Sequence, residues 1–417
     1  MTTSKADKEP AKEAATDVAP DRDESTGLME PMLISESGAR RGPLADLALE
    51  VAEKSAGFRA SLPDGVVSAL SDLVRSMNCY YSNLIEGHDT HPIDIERALK
   101  ADYSADPRKR DLQLEARAHI NVQKWIDEGG LDGRATTSDG LRAAHMRFCS
   151  ELPDDLLWVT NPATSERIQV IPGAFRSRDV AVGRHIAISP GAVPRFMARF
   201  EEAYRRPGRV DSIIAAATAH HRFLWIHPFA DGNGRVVRLM SYAMLRDALN
   251  TGGIWSIARG LARSVDEYKD HLANCDQTRR NDLDGRGNLS EEALARFTSY
   301  FLTACLDQIN FMRSLVHPDE LRARMLVWTE EEIKADRLPA KAGRVLEAIL
   351  FRGELPRGDV EKLLGSSERT ARRMTASLIE RGVVTSVSSR APLRLAFPAT
   401  LASRWMPGLF PDRNAKD

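Results

Sequence analysis

His227-Pro228-Phe229-Ala230-Asp231-Gly232-Asn233-Gly234-Arg235-Val236-Val237-Arg238 is a polar island inside apolar helical sequence. Ser212 to Trp225 on one side and Arg235 to Leu249 on the other carry helical periodicity, so the stretch reads as a loop joining two core helices. Backbone N–H groups of Gly232, Asn233, Gly234 and Arg235 can converge there as an anion nest at a helix start. Glycine suits a backbone that must approach an anion closely and adopt positive φ. Asp231 can hold Mg²⁺ through one oxygen when phosphates supply the other ligands. Arg235 and Arg238 lie three apart on one helical face and can reach the same phosphates. His227 is the one group here able to take a proton near neutral pH, and Phe229 is expected to anchor the loop in the core. Taken singly, these residues read as a capping histidine, a surface turn and a solvated arginine face. All three coinciding within twelve residues favours a polyphosphate site with a base beside it.

Working outward, the body is mainly α. Helices are expected from Pro43 through Ala52, from Val66 through Leu84 to a stop at Gly87, and over 93–99, 112–126, 140–149, 193–204, 265–274 and 291–316. Between them, Ile168, Val170, Val180, Val182, Ile186 and Ile188 alternate with polar residues, with glycines at 173 and 183, which predicts a small β-hairpin. Past residue 335 the pattern changes to helices over 342–351, 357–364 and 367–381, the last capped by Ser367, and then a two-stranded wing over 383–397. That order suits a winged helix. Twelve Lys/Arg stand against six Asp/Glu from Lys341 to Arg404.

A chain of 417 residues suffices for two or three domains. The expected organisation is a disordered tail over 1–27, an N-terminal helical region over 28–110, the central domain over 111–320, a winged helix over 335–404 and a tail over 405–417. The first 27 residues almost lack large apolar side chains and cannot offset ordering entropy. A net charge of −1 gives no whole-chain case for nucleic acid or an anionic membrane, so any basic surface is local. Cys79, Cys149, Cys275 and Cys305 lie far apart with no CxxC, the pattern of buried free thiols in a reducing cytoplasm. Nothing resembles a signal peptide or a membrane span.

The stretch from His227 to Arg238 resembles the His-x-Phe-x-Asp/Glu-Gly-Asn-Gly-Arg-x-x-Arg pattern of Fic domain proteins at every defined position. Ala219 to Ile226 resembles the family's preceding helix. Pro172-Gly173-Ala174-Phe175-Arg176 with Val180, Ala181, Val182 and Gly183 resembles its target-binding flap. Val237 departs from the glycine many members carry. The resemblance covers about residues 28–315 and implies a Fic-type helical bundle that transfers AMP from ATP to a Ser, Thr or Tyr hydroxyl of a protein. It implies His227 as general base, Asp231 as Mg²⁺ ligand, Gly232, Asn233, Gly234 and Arg235 on the α- and β-phosphates, and Arg238 on the γ-phosphate. Phosphate-binding residues alone leave AMP transfer and phosphate transfer both open.

Glu86 is a carboxylate near a helix C-terminus, where the dipole disfavours it and a cation would offset the cost. Ser82-Asn83-Leu84-Ile85-Glu86-Gly87 resembles the inhibitory motif Ser/Thr-x-x-x-Glu-Gly/Asn of one Fic subclass. This implies that Glu86 pairs with Arg238 and blocks the γ-phosphate, with Ser82 positioning the helix. Some relatives use this glutamate to remove AMP, so the reverse hydrolysis stays open, as does a regulator that uses the nucleotide site as a sensor. Tyr268 and Leu272, one turn apart, are candidates to cover adenine. Ser367, Arg369, Thr370 and Arg373 would start a recognition helix for DNA, with protein contact the competing reading. Expected partners are thus a protein with an acceptor hydroxyl, DNA through the C-terminal helices and a second copy of the chain as a homodimer, with no membrane.

Overall fold

A computed structural model describes residues 18–161, 164–205 and 207–411. Among the described residues, eleven α-helices build the body: α1 (Arg41–Ala60), α2 (Asp64–Ile85), α3 (Pro92–Leu99), α4 (Pro107–Asp127), α5 (Ser138–Cys149), α6 (Val193–Ala203), α7 (Arg209–Ile226), α8 (Asn233–Leu249), α9 (Ala258–Arg263), α10 (Val265–Cys275) and α11 (Glu291–Leu315). Two hairpins lie between α5 and α6: β1 (Trp158–Thr160) with β2 (Arg167–Gln169), and β3 (Ala181–Val182) with β4 (His185–Ile186). The sequence pattern predicted one hairpin. Ile168 belongs instead to a separate ribbon that pairs backward with residues 158–160, because the turn at Gly173 breaks the alternation.

Local chemistry sets several of these ends. Asp106 caps α4 by accepting from the N–H groups of Arg108 and Lys109, and Thr137 caps α5 through Gly140 N–H. Helix α7 stops where His227 turns into the left-handed region at φ 50° and Pro228 follows, since proline cannot continue the hydrogen-bond ladder. A non-glycine residue in that region costs about 1–2 kcal/mol. Helices α7 and α8 then pack as the central antiparallel pair, and Phe223, Ile226, Phe229, Val236, Val237 and Met240 are buried around their junction.

The C-terminal unit comprises α12 (Pro318–Lys334), α13 (Ala342–Arg352), α14 (Arg357–Leu364), α15 (Glu368–Glu380), the hairpin β5 (Val384–Thr385) with β6 (Arg394–Leu395), and α16 (Ala402–Trp405). Leu355, between α13 and α14, forms an antiparallel bridge to Leu393 just before β6. Helix α12, which the sequence reading left unassigned, packs on α13 ahead of the expected boundary at 335. This unit shares one continuous apolar core with the body, running from Leu70 and Val74 through Phe301 to Leu346, Leu378 and Leu395.

Helix α2 is gripped by the C-terminal unit at both ends. A Cβ on Gly65 would lie 2.0 Å from the Gly353 carbonyl oxygen, so the two backbones touch. Toward the other end, Tyr81 Oη donates to Leu409 O at 2.8 Å, and the Phe410 ring meets Tyr80 edge-on at 5.4 Å. The expected tail over 405–417 is therefore corrected for residues 405–411. Trp405, Met406 and Leu409 are buried, and their apolar area explains why the segment stays docked. Residues 412–417 lie outside the described residues.

The expected disordered tail over 1–27 is corrected in the same way for residues 18–27. Ala19 N–H donates to Ser177 O, Arg22 pairs with Asp179, Glu24 accepts from Ser189, and Arg195 pairs with Asp21. Polar pairing substitutes for the missing apolar burial. The rest of that expectation, residues 1–17, falls outside the described residues. All four cysteines are buried and free. Among the described residues no helix is long and apolar enough to cross a membrane.

Candidate active site

The site lies where α7 hands over to α8. His227 caps α7, and its Nδ1 faces Leu224 O at 3.4 Å, the geometry in which Nδ1 carries the proton and Nε2 keeps its lone pair. Burial, reinforced by the Arg176 charge and opposed by the Leu224 carbonyl, pushes the His227 imidazole down to about 4. The ring is thus neutral at physiological pH and able to accept a proton.

Gly232 takes φ 77° and turns the chain into α8, leaving the first N–H groups of that helix without intrahelical acceptors. A Cβ at Gly232 would lie 3.5 Å from the His145 ring, ordinary contact, so positive φ is what requires glycine. Asn233 has a structural part in the loop. Its Oδ1 accepts from Phe229 N–H at 3.0 Å and its Nδ2 donates one N–H to Phe229 O at 2.9 Å, so its side chain staples the loop. Asp231 is exposed. Among the described residues no cluster of three or more His, Cys, Asp or Glu side chains could hold a metal. A single carboxylate fits Mg²⁺ bound mainly by nucleotide phosphates and water.

Both arginines are already paired. Arg238, with a side chain 3% exposed, donates through Nε to Ser82 Oγ at 2.8 Å, and through its NH2 group to Ser82 O at 3.1 Å and to Glu86 Oε1 at 2.5 Å. Glu86 also covers the start of α8: a Cβ on Gly234 would fall 2.2 Å from its Oε1. Burial alone would raise the Glu86 pKa, but the Arg238 charge and hydrogen bond, with Arg235 and His88 behind, hold it below the usual range. Arg235 pairs with Glu115 of α4, which is buried, and its guanidinium lies 5.2 Å over the Phe148 ring. His88 Nδ1 contacts the same carboxylate at 2.8 Å, and that hydrogen bond raises the His88 pKa.

Sequence reasoning missed three contributors. Glu115 sits in an ordinary polar helix and carries no local signal. His145 of α5 stacks on Phe229 at 3.9 Å, accepts from Gly173 N–H at 2.9 Å and donates to Asp231 O at 3.2 Å, tying flap base to motif loop. Arg176 ends the Pro172–Arg176 segment, and nothing in its local sequence marks it. One expectation is corrected: Tyr268 is 2% exposed, with its hydroxyl on His220 Nε2 at 2.7 Å, so it presents no open face to adenine. Of the flap residues, Ala181 and Val182 form β3, Val180 accepts from Ala187 N–H, and Gly183 makes the turn at φ 59°.

Residues 137–245, from the α5 cap through most of α8, match the Fic/DOC family. The chain carries a Fic domain. Over 171 residues it is 40% identical to a protein adenylyltransferase Fic of Drosophila mojavensis, covering 40% of this chain and 31% of that one. It is 29% identical over 173 residues to the protein of that name from Nematostella vectensis, covering 40% and 37%. The chain thus spans about a third of the length of these curated relatives. A solved Fic family protein from Desulfovibrio desulfuricans G20 aligns over 84% of this chain and 96% of its own, at 19% identity and a TM-score of 0.46. Ser82 and Glu86 lie outside the stretch matched to the Fic domain.

Farther off, Ser367 caps α15 by accepting from Thr370 N–H, and its hydroxyl contacts Thr370 Oγ1 at 3.2 Å. Arg369 and Arg373 are exposed on the same helix, while Arg372 pairs with Glu368.

Proposed function

We propose that this chain is a protein adenylyltransferase held in a restrained state by Glu86. A Ser, Thr or Tyr hydroxyl of a target protein attacks the α-phosphorus of ATP. The new bond is phosphorus to hydroxyl oxygen, the bond to the β-phosphate bridging oxygen breaks, pyrophosphate leaves, and the hydroxyl proton passes to Nε2 of His227. The α8 N-terminus, with the backbone N–H groups of Gly232, Asn233, Gly234 and Arg235, is suited to hold phosphate oxygens. Arg238 is the γ-phosphate ligand. Mg²⁺ held by Asp231 would neutralise charge on the polyphosphate. Residues 180–183 and 185–186 offer a strand edge on which a target segment can pair through its main chain.

The observation that carries this reading is the 2.5 Å contact of Glu86 with Arg238, together with the Glu86 oxygen pressed against Gly234. A carboxylate there occupies the ground that phosphates need, and the other residues of the site are ready around it. Intact-mass spectrometry of the Glu86→Gly protein incubated with ATP and Mg²⁺ tests it. A gain of one AMP is expected, and a gain of one phosphate would overturn the reaction class. The intact His227 weighs against a pure nucleotide sensor, since sensing needs no base.

A second activity has an observation of its own. Helices α13, α14 and α15 followed by the β5–β6 hairpin support a winged helix, and exposed Arg369 and Arg373 on α15, with Arg390 at the hairpin tip, support a DNA-facing surface. Retention of the full chain on duplex DNA should fall steeply with salt; no binding at low salt would leave protein contact as the role of this unit.

A further inference from the structure

Arg176 is 2% exposed, and its guanidinium hydrogen bonds, among the described residues, all run to main-chain carbonyls. Nε donates to His227 O at 2.8 Å, one terminal nitrogen to Arg178 O at 3.1 Å and the other to Ile188 O at 2.5 Å. Its own backbone N–H donates to Pro228 O at 2.9 Å. These acceptors belong to three separate segments. Arg178 and Ile188 are the two feet of the flap, and His227 is the residue read as the base.

The geometry explains why an arginine stands here. The backbone ladder of the flap runs from the Gly183 turn through the Ala181–Ile186 and Val182–His185 pairs to Ala187 N–H on Val180 O. Below that rung the two strands are joined through the planar guanidinium, which spans them like a bolt and reaches a third acceptor at the end of α7. Lysine has no such fixed fork, and an apolar residue of equal volume would leave buried carbonyls unpaired. Burial pushes the Arg176 guanidinium down to about 10, so it remains charged at neutral pH. From outside, residues 19–24 close over the same feet, with Ala19 N–H on Ser177 O, Gly191 N–H on Ala19 O and Arg22 on Asp179. His185 of β4 adds a second tie by donating to Trp225 O at 2.7 Å.

We infer that Arg176 is a positioning residue that locks the flap in register with His227 and so fixes where an acceptor hydroxyl lies against the base. The inference rests on the adenylyl-transfer reading of the site. The nucleotide contacts proposed above fall on the start of α8, which none of the Arg176 guanidinium hydrogen bonds reaches, so the role of Arg176 belongs to the acceptor half of the reaction. A flap that pivots about a loosened root still permits Mg·ATP to bind but no longer presents the hydroxyl in line. Misplacement on the scale of 1 Å costs about a hundredfold in rate.

The test uses the full chain carrying Glu86→Gly, alone and with Arg176→Gln or Arg176→Lys. It reads Mg·ATP affinity, the rate of AMP self-transfer at saturating ATP, and deuterium uptake of peptides covering residues 178–188 and 233–249. With Arg176→Gln, affinity should stay within about twofold while transfer falls about 10–100-fold. Flap peptides should exchange faster while α8 does not. Arg176→Lys should recover part of the rate, since an ammonium satisfies one or two of the three carbonyls. Unchanged transfer, unchanged flap exchange, or a parallel loss of nucleotide affinity would each overturn the assignment. Were the Glu86→Gly protein to transfer nothing while Arg176→Gln still loosened the flap, the proposed activity would fall and the anchor would stand on the exchange data.

Discussion

Replacing Glu86 by glycine removes one carboxylate from two places at once: the guanidinium of Arg238 and the space beside Gly234. A hydrogen bond between charged partners contributes about 1.5–3 kcal/mol, which as a competition for Arg238 corresponds to a factor of about 10–150. Two features push the expected effect to the low end. The Glu86 side chain is 34% exposed, so water screens the pair, and Arg238 keeps both contacts to Ser82 after the carboxylate is gone. Glu86→Gly should therefore tighten Mg·ATP binding and raise self-transfer about tenfold. Glu86→Gln, which keeps the volume and loses the charge, should fall between.

Self-labelling with α-labelled ATP across an ATP titration separates the two contributions, and direct binding of Mg·ATP fixes the affinity term. The unliganded protein supplies an independent check of opposite sign. Without Glu86 the buried end of Arg238 loses a partner, so the melting temperature of unliganded Glu86→Gly should drop below wild type, and saturating Mg·ATP should raise it by more than it raises wild type. Equal labelling and equal affinity in Glu86→Gly and wild type would refute the reasoning, because the contact seen at 2.5 Å would then carry no restraint.

Three further outcomes are expected. His227→Ala in the Glu86→Gly background should abolish transfer and leave Mg·ATP affinity within about threefold; retained transfer would remove His227 as the base. Burial holds His119 at about 3 and His145, His221 and His227 at about 4 in the folded chain, while unfolded histidines titrate near 6.5. Between those values the unfolded state binds the extra protons, so stability rises with pH and is lost as pH falls from about 6.5 toward 4, by up to about 1.4 kcal/mol per pH unit per histidine. Urea unfolding at pH 7, 5.5 and 4.5 should show this slope, and His145→Gln should flatten it. Ending the chain after Trp405 removes the acceptor of Tyr81 Oη and the Phe410 ring from α2, and so should lower the melting temperature and raise self-labelling of otherwise wild-type protein; unchanged labelling would show that α2 holds its place without that segment.

The helical body was legible because its signals are local. Helices α4, α5, α7, α8 and α11 have apolar residues at helical spacing, and α4, α5 and α11 also start on a capping side chain; none of that depends on distant partners. The hairpins were harder. Ile168 and Val180 alternate with polar residues in the same way, and only the pairing contacts place one in a ribbon with Val159 and the other on the flap opposite Ala187. The docking of residues 18–24 and 405–411 was invisible for a related reason. Short segments without periodicity are held by single ion pairs, carbonyl contacts and a few buried rings whose partners lie far away in sequence, such as Ser177 for Ala19, Trp328 for Trp405 and Tyr81 for Leu409.

Within the site the same division applies, with one instructive exception. The loop from His227 to Arg238 could be read because twelve consecutive residues hold the histidine, the carboxylate, the glycine-flanked asparagine and the two arginines to which the proposed roles attach. Glu115, His145 and Arg176 could not be read, since each acts through a contact with that loop and sits in unremarkable sequence. Glu86 lies between these cases. Its chemistry, a carboxylate at the wrong end of a helix dipole, called for a cation but named none, and the resemblance supplied Arg238. The structure adds why that cation and not another: Ser82, four residues earlier on the same helix face, takes the Arg238 Nε–H and orients the guanidinium so that its free edge meets Glu86. Serine and glutamate thus hold Arg238 as one two-point clamp, and in the proposed reading the phosphate site and its restraint are two uses of one guanidinium.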